Sequence, residues 1–430
     1  MKQIIFILIL TSFCFTELVI AQSDIWIDKN ENENYTARHE CSFVQAGDKF
    51  IMFGGRENAQ QLDMYDFKSD TWSIGGKTPK EFNHFQATFY EGFVWVIGSF
   101  KTNKFPREIP ADYIWMYFPP TQTWIKGPEI PKNRRRGGAG LVVYKDKFYL
   151  VGGNTIGHDG GYVNWFDAYD PQRNTWTILD DAPNARDHFS ALAANDKLYA
   201  LGGRHSGGEG GVFAPLVADV DVYDFDTKQW SSLIKPLPTP RAAPSVALFN
   251  NALFVIGGEG EKQGPAYKIV EAYNLKTNTW ETKADMNYPR HGTQAIVSGN
   301  GIYIAGGSPK RGGGRQLHME VYNEDAPKGQ EIVPSELRGP KTICIENGEL
   351  EIIKIKNMAG DTGSFINSIS ISGKDKDQFK LVYDFDLTLI GSNESAYLKV
   401  VHLGENQKDT AELVITYNGI IEKVIRLESK

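Results

Sequence analysis

Cysteine is scarce in this chain of 430 residues, with only three copies, at Cys14, Cys41 and Cys344. Small secreted domains that fold around a disulfide framework need more cysteines than this, so the sequence excludes a fold of that class. Cys41 and Cys344 stand far apart in the sequence. We expect both to be small buried hydrophobic residues that are not bonded to each other.

An excess of basic charge is missing as well. Lysine and arginine number 46 against 53 aspartate and glutamate residues, which gives a formal net charge of −7. Proteins that bind nucleic acid normally carry a basic excess, so we expect no nucleic-acid partner. Beyond the first residues no segment is apolar enough to cross a bilayer, and we therefore expect no transmembrane segment.

The first 21 residues have the composition of a cleaved signal peptide. Lys2 supplies the positive start, an apolar run follows, and Ala21 ends a small-residue cleavage site. Glu17 interrupts the apolar run, which is too short for a comfortable membrane span. Phe13 is too bulky to precede a lipoprotein cysteine at Cys14. The sequence therefore predicts export, with the protein secreted or periplasmic.

A repeated pattern runs through most of the chain. Strand-like apolar runs end in Gly-Gly, or in a relic of it, at intervals of 44 to 55 residues. The first glycines of these doublets are Gly54, Gly98, Gly152, Gly202, Gly257 and Gly306. Such regular spacing predicts six copies of one structural unit.

Aromatic and charged residues keep fixed distances within each unit. A tyrosine follows each doublet, and a tryptophan stands seven residues later in five units: Tyr65–Trp72, Tyr117–Trp124, Tyr169–Trp176, Tyr223–Trp230 and Tyr273–Trp280. Sixteen residues before the first glycine stands an arginine in five units: Arg38, Arg136, Arg186, Arg241 and Arg290. Phe82 holds that place in the second unit.

Together these features resemble the kelch repeat, over roughly residues 25–323. The resemblance implies that each unit is a four-stranded blade of a β-propeller. The sixth unit has Tyr322 but lacks the tryptophan that should follow it, whereas Trp26 stands alone upstream of the first unit. Trp26 precedes Arg38 by twelve residues, and the other tryptophans precede the arginine position of the next unit by ten to twelve. We therefore predict that the N-terminal strand completes the sixth blade and closes the ring.

The last hundred residues carry none of these repeat features. They contain seven short strand-like segments with turns between them, which is typical of an immunoglobulin-like sandwich. The predicted fold is therefore all-β: a six-bladed kelch β-propeller in residues 22–326, closed by its N-terminal strand, a linker in 327–336 and an immunoglobulin-like β-sandwich in 337–430.

The resemblance also points to a binding face. In kelch propellers the face with the loops that enter the first strands often binds ligands, and matching arginines do so in some members. Acids and histidines stand beside the arginine positions here, among them Glu40 and Asp187. The predicted ligand-binding residues are Arg38, Arg56, His84, Arg136, Arg186, His188, Arg204, Arg241, Glu259, Arg290 and His291. The alternative is that the arginines pair with acids of the neighbouring blade and only brace the ring.

Two classes of function fit this set of residues. The first is an exported binding protein with a carbohydrate or protein ligand, because arginine binds carboxylate, phosphate or polyhydroxyl groups well and Tyr162, Trp165 and Phe213 would stack on a sugar. The second is a carbohydrate-active enzyme, since some secreted six-bladed kelch propellers that this chain resembles are sialic-acid mutarotases. The acid–base chemistry would then fall to Arg186, His188, Arg241, Glu259 and Arg290.

The sequence indicates no metal or cofactor. His158 and Asp159 are adjacent, but two ligands alone are a weak pattern for a metal. The segment "SPKRGGGR" lacks the strand–loop–helix context of a phosphate-binding loop. Copper chemistry of the galactose-oxidase kind is disfavoured because the units number six rather than seven and Cys41 should be packed in a first strand. We predict no cofactor, no metal site and no defined catalytic residues.

Overall fold

The computed structural model describes residues 24–31, 34–323, 326–382 and 388–430. The predicted signal peptide lies outside these residues. In the described ranges the regular structure consists of β-strands and of short 3-10 turns at Pro119–Thr121, Lys132–Arg134, Gly157–Asp159 and Lys376–Gln378. The predicted all-β class is confirmed. Among these turns none has the length and apolar character of a membrane-spanning helix.

Residues 26–322 form six antiparallel sheets of four strands each. The chain starts with β1 (Trp26–Glu31). The first sheet contains β2 (Cys41–Ala46), β3 (Lys49–Gly54), β4 (Gln61–Asp66) and β5 (Thr71–Lys77). The second contains β6 (Ala87–Tyr90), β7 (Phe93–Val96), β8 (Tyr113–Phe118) and β9 (Thr123–Glu129). The third contains β10 (Gly140–Tyr144), β11 (Lys147–Val151), β12 (Phe166–Asp170) and β13 (Thr175–Ile178).

The next three sheets repeat the same order of strands. The fourth contains β14 (Ser190–Ala194), β15 (Lys197–Leu201), β16 (Asp221–Asp224) and β17 (Gln229–Ser232). The fifth contains β18 (Ser245–Phe249), β19 (Ala252–Ile256), β20 (Val270–Asn274) and β21 (Thr279–Lys283). The sixth contains β22 (Ala295–Ser298), β23 (Gly301–Ala305) and β24 (His318–Tyr322), and β1 is its outer strand.

The six sheets are arranged around a central axis. The first strand of each sheet contacts the first strand of the next, in the order β2, β6, β10, β14, β18 and β22, and β22 contacts β2. Tight turns join the first and second strands, as at Asn250 and Asn251, whose φ angles of 48° and 57° suit a two-residue hairpin. The second strands are apolar on both faces because they are packed between neighbouring sheets; every residue of β19 is buried.

The tyrosine and tryptophan of each unit lie opposite each other. Tyr65 faces Trp72 across β4 and β5, and the corresponding pairs of the next four sheets have the same register. In the sixth sheet Trp26 of β1 faces Tyr322 of β24. The pairs form part of the hydrophobic core between sheets, as expected for large aromatic side chains.

The C-terminal residues form two further sheets. Their strands are β25 (Glu336–Arg338), β26 (Thr342–Ile345), β27 (Leu350–Met358), β28 (Ser364–Ser372), β29 (Phe379–Leu381), β30 (Leu389–Ile390), β31 (Ser395–His402), β32 (Thr410–Tyr417) and β33 (Ile421–Ser429). One sheet has the order β25-β27-β31-β29 and the other β26-β33-β32-β28-β30. Both contribute to one core, which includes Ile353, Leu398 and Ile415. The seven expected strand segments are present, and the two additional strands, β25 and β26, are too short to show a periodic pattern.

The C-terminal sheets contact the side of the six-sheet ring where β6 turns into β7 and β12 turns into β13. Ser392 N donates to Glu91 Oε2 over 3.0 Å, and Leu389 N donates to the Pro171 carbonyl over 3.0 Å. These turns lie at the opposite ends of the strands from the glycine doublets. The loops that follow the doublets therefore remain uncovered by the C-terminal sheets.

The two described cysteines are both free, which confirms that they are not bonded to each other. Cys41 is buried in β2, as expected. Cys344 is exposed, so the prediction that both would be buried is wrong for this residue. Its neighbours Ile343 and Ile345 pack toward the core, and the alternation of a β-strand turns Cys344 to the other side.

Candidate functional site

A ring of backbone surrounds the axis at the end of the strands that carries the glycine doublets. In every unit the residue two positions after the arginine position has a left-handed conformation, with φ between 47° and 69°. These residues, here called the axial ring, are Glu40, His84, Gly138, His188, Ala243 and Gly292. Main-chain N–H groups link neighbouring units; His84 N, for example, donates to the Glu40 carbonyl over 3.0 Å.

Three members of the axial ring have large polar side chains. A left-handed backbone costs residues other than glycine some conformational energy, and such strain often marks functional positions. Glu40, His84 and His188 accept this conformation, and all three are buried. The groups that these three side chains contact are therefore candidates for a functional site.

The channel is nearly closed below the axial ring. The cavity there has a volume of about 40 Å³, and Gln86 and Gln294 are part of its lining. Gln86 Nε2 donates to the Ala191 carbonyl over 3.0 Å, and Gln294 Nε2 donates to the Ala87 carbonyl over 3.2 Å. The space is enough for a few water molecules. A larger ligand could reach the axial ring only from the other side.

On that other side lies a larger cavity of about 460 Å³, here called the mouth cavity. Its floor includes Glu40 and His84 of the axial ring. The segment before β2 supplies His39 to the wall. The loops that follow the doublets supply the other wall residues, which are Arg56, Asn103, Phe105, His158, Arg204, Phe213, Glu259, Gly312 and Gly313. The cavity thus combines acids, bases and two aromatic rings.

The five repeated arginines do not line the mouth cavity. Arg186 is fully buried, and it donates to Asp221 Oδ2 over 2.8 Å and to the carbonyl of Gly202 over 2.9 Å. The other four make the same two kinds of contact, with the first glycine of their doublet and with an acid. The pairs are Arg38–Asp63, Arg136–Asp167, Arg186–Asp221, Arg241–Glu271 and Arg290–Glu320.

The expectation that these arginines surround the channel mouth is therefore wrong. Each side chain points into its own sheet, where a third-strand carboxylate neutralises it, so the partner is not an acid of the neighbouring blade either. Burial lowers the pKa of Arg241 to about 10, although Glu271 opposes the shift. The guanidinium consequently remains charged at neutral pH and holds the doublet end of its sheet in place.

The second unit replaces both partners of this pair at once. Phe82 stands in the arginine position and Trp115 in the acid position, and their rings contact each other with centroids 6.3 Å apart. The acid position lies two residues before the tyrosine in every other unit. The arginine and its acid are thus either both present or both absent in a unit, as expected because an unpaired buried charge is costly.

The remaining predicted residues lie at or near the mouth cavity and are linked by ion pairs. Arg204 is paired with Glu259 and Arg56 with Glu108. Burial by itself would raise the pKa of Glu259, but His291 and Arg204 outweigh burial and lower it. Burial likewise would raise the pKa of Glu108, but His158 and Arg56 bring it to about 2. Both carboxyl groups are therefore ionised.

His291 lies between two carboxylates. Its Nε2 is 3.5 Å from Glu40 Oε1 and 3.5 Å from Glu259 Oε2. Burial would lower the pKa of His291, yet Glu259 and Glu40 outweigh burial and raise it. Burial would raise the pKa of Glu40, but His84 and His291 lower it well below its usual range. This arrangement favours an imidazolium between two carboxylates.

Three histidines meet at the inner end of the mouth cavity. The ring centroids of His84, His158 and His188 are 4.6 to 5.0 Å apart. His158 Nε2 and His188 Nε2 are separated by 3.2 Å. Burial lowers the pKa of His84 well below its usual range and that of His158 to about 4.

Comparisons with known proteins address the repeat itself. The family model "KLHDC2/KLHL20/DRC7 Kelch-repeats domain" matches residues 157–307, which span the fourth and fifth sheets and parts of their neighbours. The chain carries kelch repeats. The prediction of a kelch-repeat β-propeller is thereby confirmed at the level of the repeat and the propeller.

The kelch repeats of this chain are similar to those of several curated proteins. Kelch-like protein terF of Aspergillus terreus is 28% identical over 312 residues, which cover 69% of this chain and 67% of that protein. Alpha-scruin of Limulus polyphemus is 24% identical over 64% of this chain and 30% of its own length. Kelch-like protein 36 of Rattus norvegicus is 24% identical over 74% of this chain and 52% of that protein. The chain thus spans 30% and 52% of the length of the last two relatives.

A solved structure shares the propeller fold. The structure of YjhT superimposes with a TM-score of 0.57 and 16% sequence identity, over 69% of this chain and 99% of that one. At this level of identity the likeness concerns the fold alone.

Of the three aromatic residues expected to stack on a sugar, only Phe213 lines the mouth cavity. Trp165 lies over the guanidinium of Arg134 at 4.5 Å, and Tyr162 stacks on His205 with ring centroids 4.3 Å apart. Phe105, which no repeat pattern in the sequence indicated, provides the second aromatic side chain of the mouth cavity.

Sequence reasoning also missed part of the polar site. Glu40 has the same distance from its arginine position as His84 and His188, and this shared offset was a usable signal. Glu108 and His158 come from inter-strand loops whose lengths differ between kelch units, and no repeat spacing identifies them. Asp159, which follows His158 in the sequence, is paired with Arg107.

Proposed function

We propose that this chain is an exported kelch-propeller protein that binds a carbohydrate in the mouth cavity. The observation that carries this proposal is the composition of the cavity wall. Arg56 and Glu259 offer charged donors and acceptors for hydroxyl groups, while the exposed ring of Phe105 offers an apolar face for a sugar ring. The ring of Phe213 is in contact with the guanidinium groups of Arg204 and Arg311. A volume of about 460 Å³ suits one or a few sugar residues.

The charges around the cavity favour a polyhydroxylated ligand over a strongly acidic one. The five repeated arginines are neutralised inside their sheets and add no net positive charge at the mouth. Among the residues that line the cavity, the carboxylates Glu40 and Glu259 balance the cations Arg56 and Arg204. The wall therefore has no excess of positive charge for an anion, whereas neutral hydroxyl groups can pair with either sign.

The binding experiment compares neutral sugars, sugar acids and acidic peptides by thermal shift and calorimetry. Phe105→Ala is the informative variant because the ring is 62% exposed and its loss should leave the fold intact. Ile178→Ala, 64% exposed on an outer strand, is the matched control. We expect a sugar ligand whose affinity falls for Phe105→Ala and not for Ile178→Ala. Binding of peptides alone, or equal effects of both variants, would contradict the proposal.

A second candidate is a sugar mutarotase, and the position of His291 favours it. Ring opening and closing of a sugar requires one group to remove a proton while another supplies one. Glu40 and Glu259 line the cavity and share His291 between them at 3.5 Å each. Exchange NMR of the two anomers of a bound sugar tests this function. Catalysed exchange that is lost in Glu259→Gln would support it, and exchange at the uncatalysed rate would exclude it.

The same proposal includes three further points, which are export, the closure of the ring and the type of the C-terminal sheets. Residues 1–21 would be removed during export, β1 would hold the ring closed, and the two C-terminal sheets would form an immunoglobulin-like domain that leaves the mouth free. The contacts at Glu91 and Pro171, remote from the doublets, support this placement. Intact mass of the protein from its native source tests the first point. A mature N-terminus at Met1 would contradict export.

A further inference from the structure

The cluster of three histidines at the inner end of the mouth cavity has a geometry that a sugar site does not require. We propose that His84, His158 and His188 bind one divalent transition-metal ion, with Zn²⁺ as the expected occupant. This inference goes beyond the proposed sugar-binding function and does not rest on it. Three nitrogen or oxygen ligands with a fourth, open coordination position are typical of zinc sites that bind a small ligand.

The distances between the imidazoles suit such an ion. Zinc–nitrogen bonds of roughly 2.0–2.1 Å at tetrahedral angles place two ligand nitrogens about 3.3 Å apart. His158 Nε2 and His188 Nε2 are 3.2 Å apart, and the ligand atoms of all three histidines lie within 4.8 Å of one another. The ring planes are inclined by 67° to 77°. The rings therefore surround a common point rather than stack on each other.

The outer nitrogens of the rings have the partners that metal-bound histidines usually have. His188 Nδ1 is hydrogen-bonded to Asp187 Oδ1, and His158 Nδ1 lies 3.1 Å from Glu108 Oε1. An ionised carboxylate can only accept a hydrogen bond, so each of these rings donates from Nδ1. Such carboxylate–histidine pairs orient the ring and make the other nitrogen a better ligand.

The inner nitrogens of these rings are available to a metal ion. His158 Nε2 and His188 Nε2 face each other at 3.2 Å, and an ion between them would accept a lone pair from each ring. His84 Nε2 has no hydrogen-bond partner among the described residues, and Glu40 Oε2 lies 3.5 Å from it. His84 Nδ1 is hydrogen-bonded to Asn83 Oδ1 at 2.7 Å.

The supporting structure is rigid. His84 and His188 are buried members of the axial ring, where the backbone bonds between units hold them. His158 is brought over the ring by a 3-10 turn that begins at Gly157, whose φ is 68°. A side chain there would meet Glu108 Oε2 at 2.0 Å, so only glycine allows this loop to pack against Glu108. Rigid, preorganised ligands are a requirement of tight metal sites.

The fourth position of the ion would face the mouth cavity, because His84 and His158 line it. The carboxylates Asp187 and Glu108, which accept from the outer nitrogens of two of the rings, favour a cation over an anion at this place. A hydroxyl or carboxylate oxygen of a ligand, or water, would complete the coordination.

Metal binding can be tested on untagged protein that has been dialysed against a chelator. Calorimetry with Zn²⁺ and absorption spectroscopy with Co²⁺ should each show one site per chain, and the Co²⁺ spectrum should be that of a tetrahedral complex. Zn²⁺ should also raise the melting temperature of the unaltered protein. Absence of stoichiometric binding, or of any shift in melting temperature, would overturn the proposal.

Variants locate the site. His158→Asn removes a ligand that lies on a loop, and His84→Ala removes one from the axial ring; each should weaken Zn²⁺ binding by more than about 10-fold, which even the loss of an outer-shell partner can cause. His205→Ala is the matched control, because His205 lies in a neighbouring loop, where its ring stacks on Tyr162 and its Nε2 is hydrogen-bonded to the Ala185 carbonyl. It should bind as the unaltered protein does. Unchanged affinity in folded His158→Asn would refute the assignment.

Discussion

Trp26 and Tyr322 lie opposite each other across β1 and β24, with their ring centroids 5.3 Å apart. The indole Nε1 of Trp26 also donates to the carbonyl of Ala284, in the fifth unit, over 3.0 Å. Residues from the two ends of the repeat region thus share one sheet. This contact leads to the first prediction.

Trp26→Ala should destabilise the protein by about 3–5 kcal/mol, the usual result of removing a large aromatic side chain from a core. Urea unfolding followed by fluorescence or circular dichroism measures the change. Ile234→Ala, at a fully exposed position, serves as the control and should have almost no effect. Equal stability of the two variants would mean that β1 contributes little to the sixth sheet.

The repeated arginines lead to a second prediction. Arg186→Ala should reduce stability by about 3–5 kcal/mol, because it leaves Asp221 buried without its partner. Any ligand of the mouth cavity should bind the folded variant as it binds the unaltered protein. Denaturant unfolding and calorimetry on the same samples separate the two effects. Loss of affinity with full stability would restore a direct ligand-binding role for this arginine.

The second unit, where two apolar residues stand in place of the arginine and the acid, suggests how to replace such a pair without this loss of stability. An apolar pair of similar volume in the fourth unit, Arg186→Met with Asp221→Val, should destabilise the protein less than Arg186→Ala alone. The reason is that such a pair leaves no buried charge. Denaturant unfolding of the double variant and of both single variants forms a complete cycle. A double variant that is less stable than either single variant would contradict this explanation.

The two free cysteines should differ strongly in reactivity. Burial raises the pKa of the Cys41 thiol to about 12, and its side chain is inaccessible in β2, whereas Cys344 is exposed. Thiolate is the reactive form, so alkylation of the native protein should label Cys344 quickly and Cys41 only after unfolding. Peptide mass spectrometry measures both. Rapid labelling of Cys41, or a linked 41–344 peptide, would contradict the structure.

Glu91 provides a prediction about pH. Burial at the contact with the C-terminal sheets raises the pKa of its carboxyl group, even though Ser392 N donates to it. A raised native pKa means that the ionised form weakens the folded state at neutral pH and that protonation removes this cost. Glu91→Gln should therefore raise the melting temperature at neutral pH, and the difference should shrink as the pH falls through the native pKa of Glu91.

Melting curves of both proteins over a pH series measure this effect. Glu349→Gln, at an exposed position of the C-terminal sheets, is a suitable control for the general effect of removing one negative charge. A lower melting temperature of Glu91→Gln at neutral pH would show that the ionised carboxylate stabilises the contact.

Most of the repeat architecture followed from the sequence because it depends on short-range chemistry. The register of Tyr65 opposite Trp72 is set by a turn within the same hairpin, and the same spacing therefore recurs in every unit. The position of Trp26 could be inferred because a strand that completes a sheet must present the same aromatic residue to its partner. The strands β25 and β26 were missed since three or four residues are too few for a period to be recognised.

The site itself was decided by the tertiary structure. An arginine sixteen residues before a glycine is compatible both with a channel mouth and with a buried ion pair. The structure decides for the buried pair, because each arginine is buried beside the third strand, where an acid stands two residues before the tyrosine. His84 and His188 occur at equivalent places, but only the cyclic arrangement of the sheets brings them within reach of each other. His158 and Glu108 join them from loops of unrelated length. Side chains meet there because several separate chain segments converge on one axis, and no local pattern records that convergence.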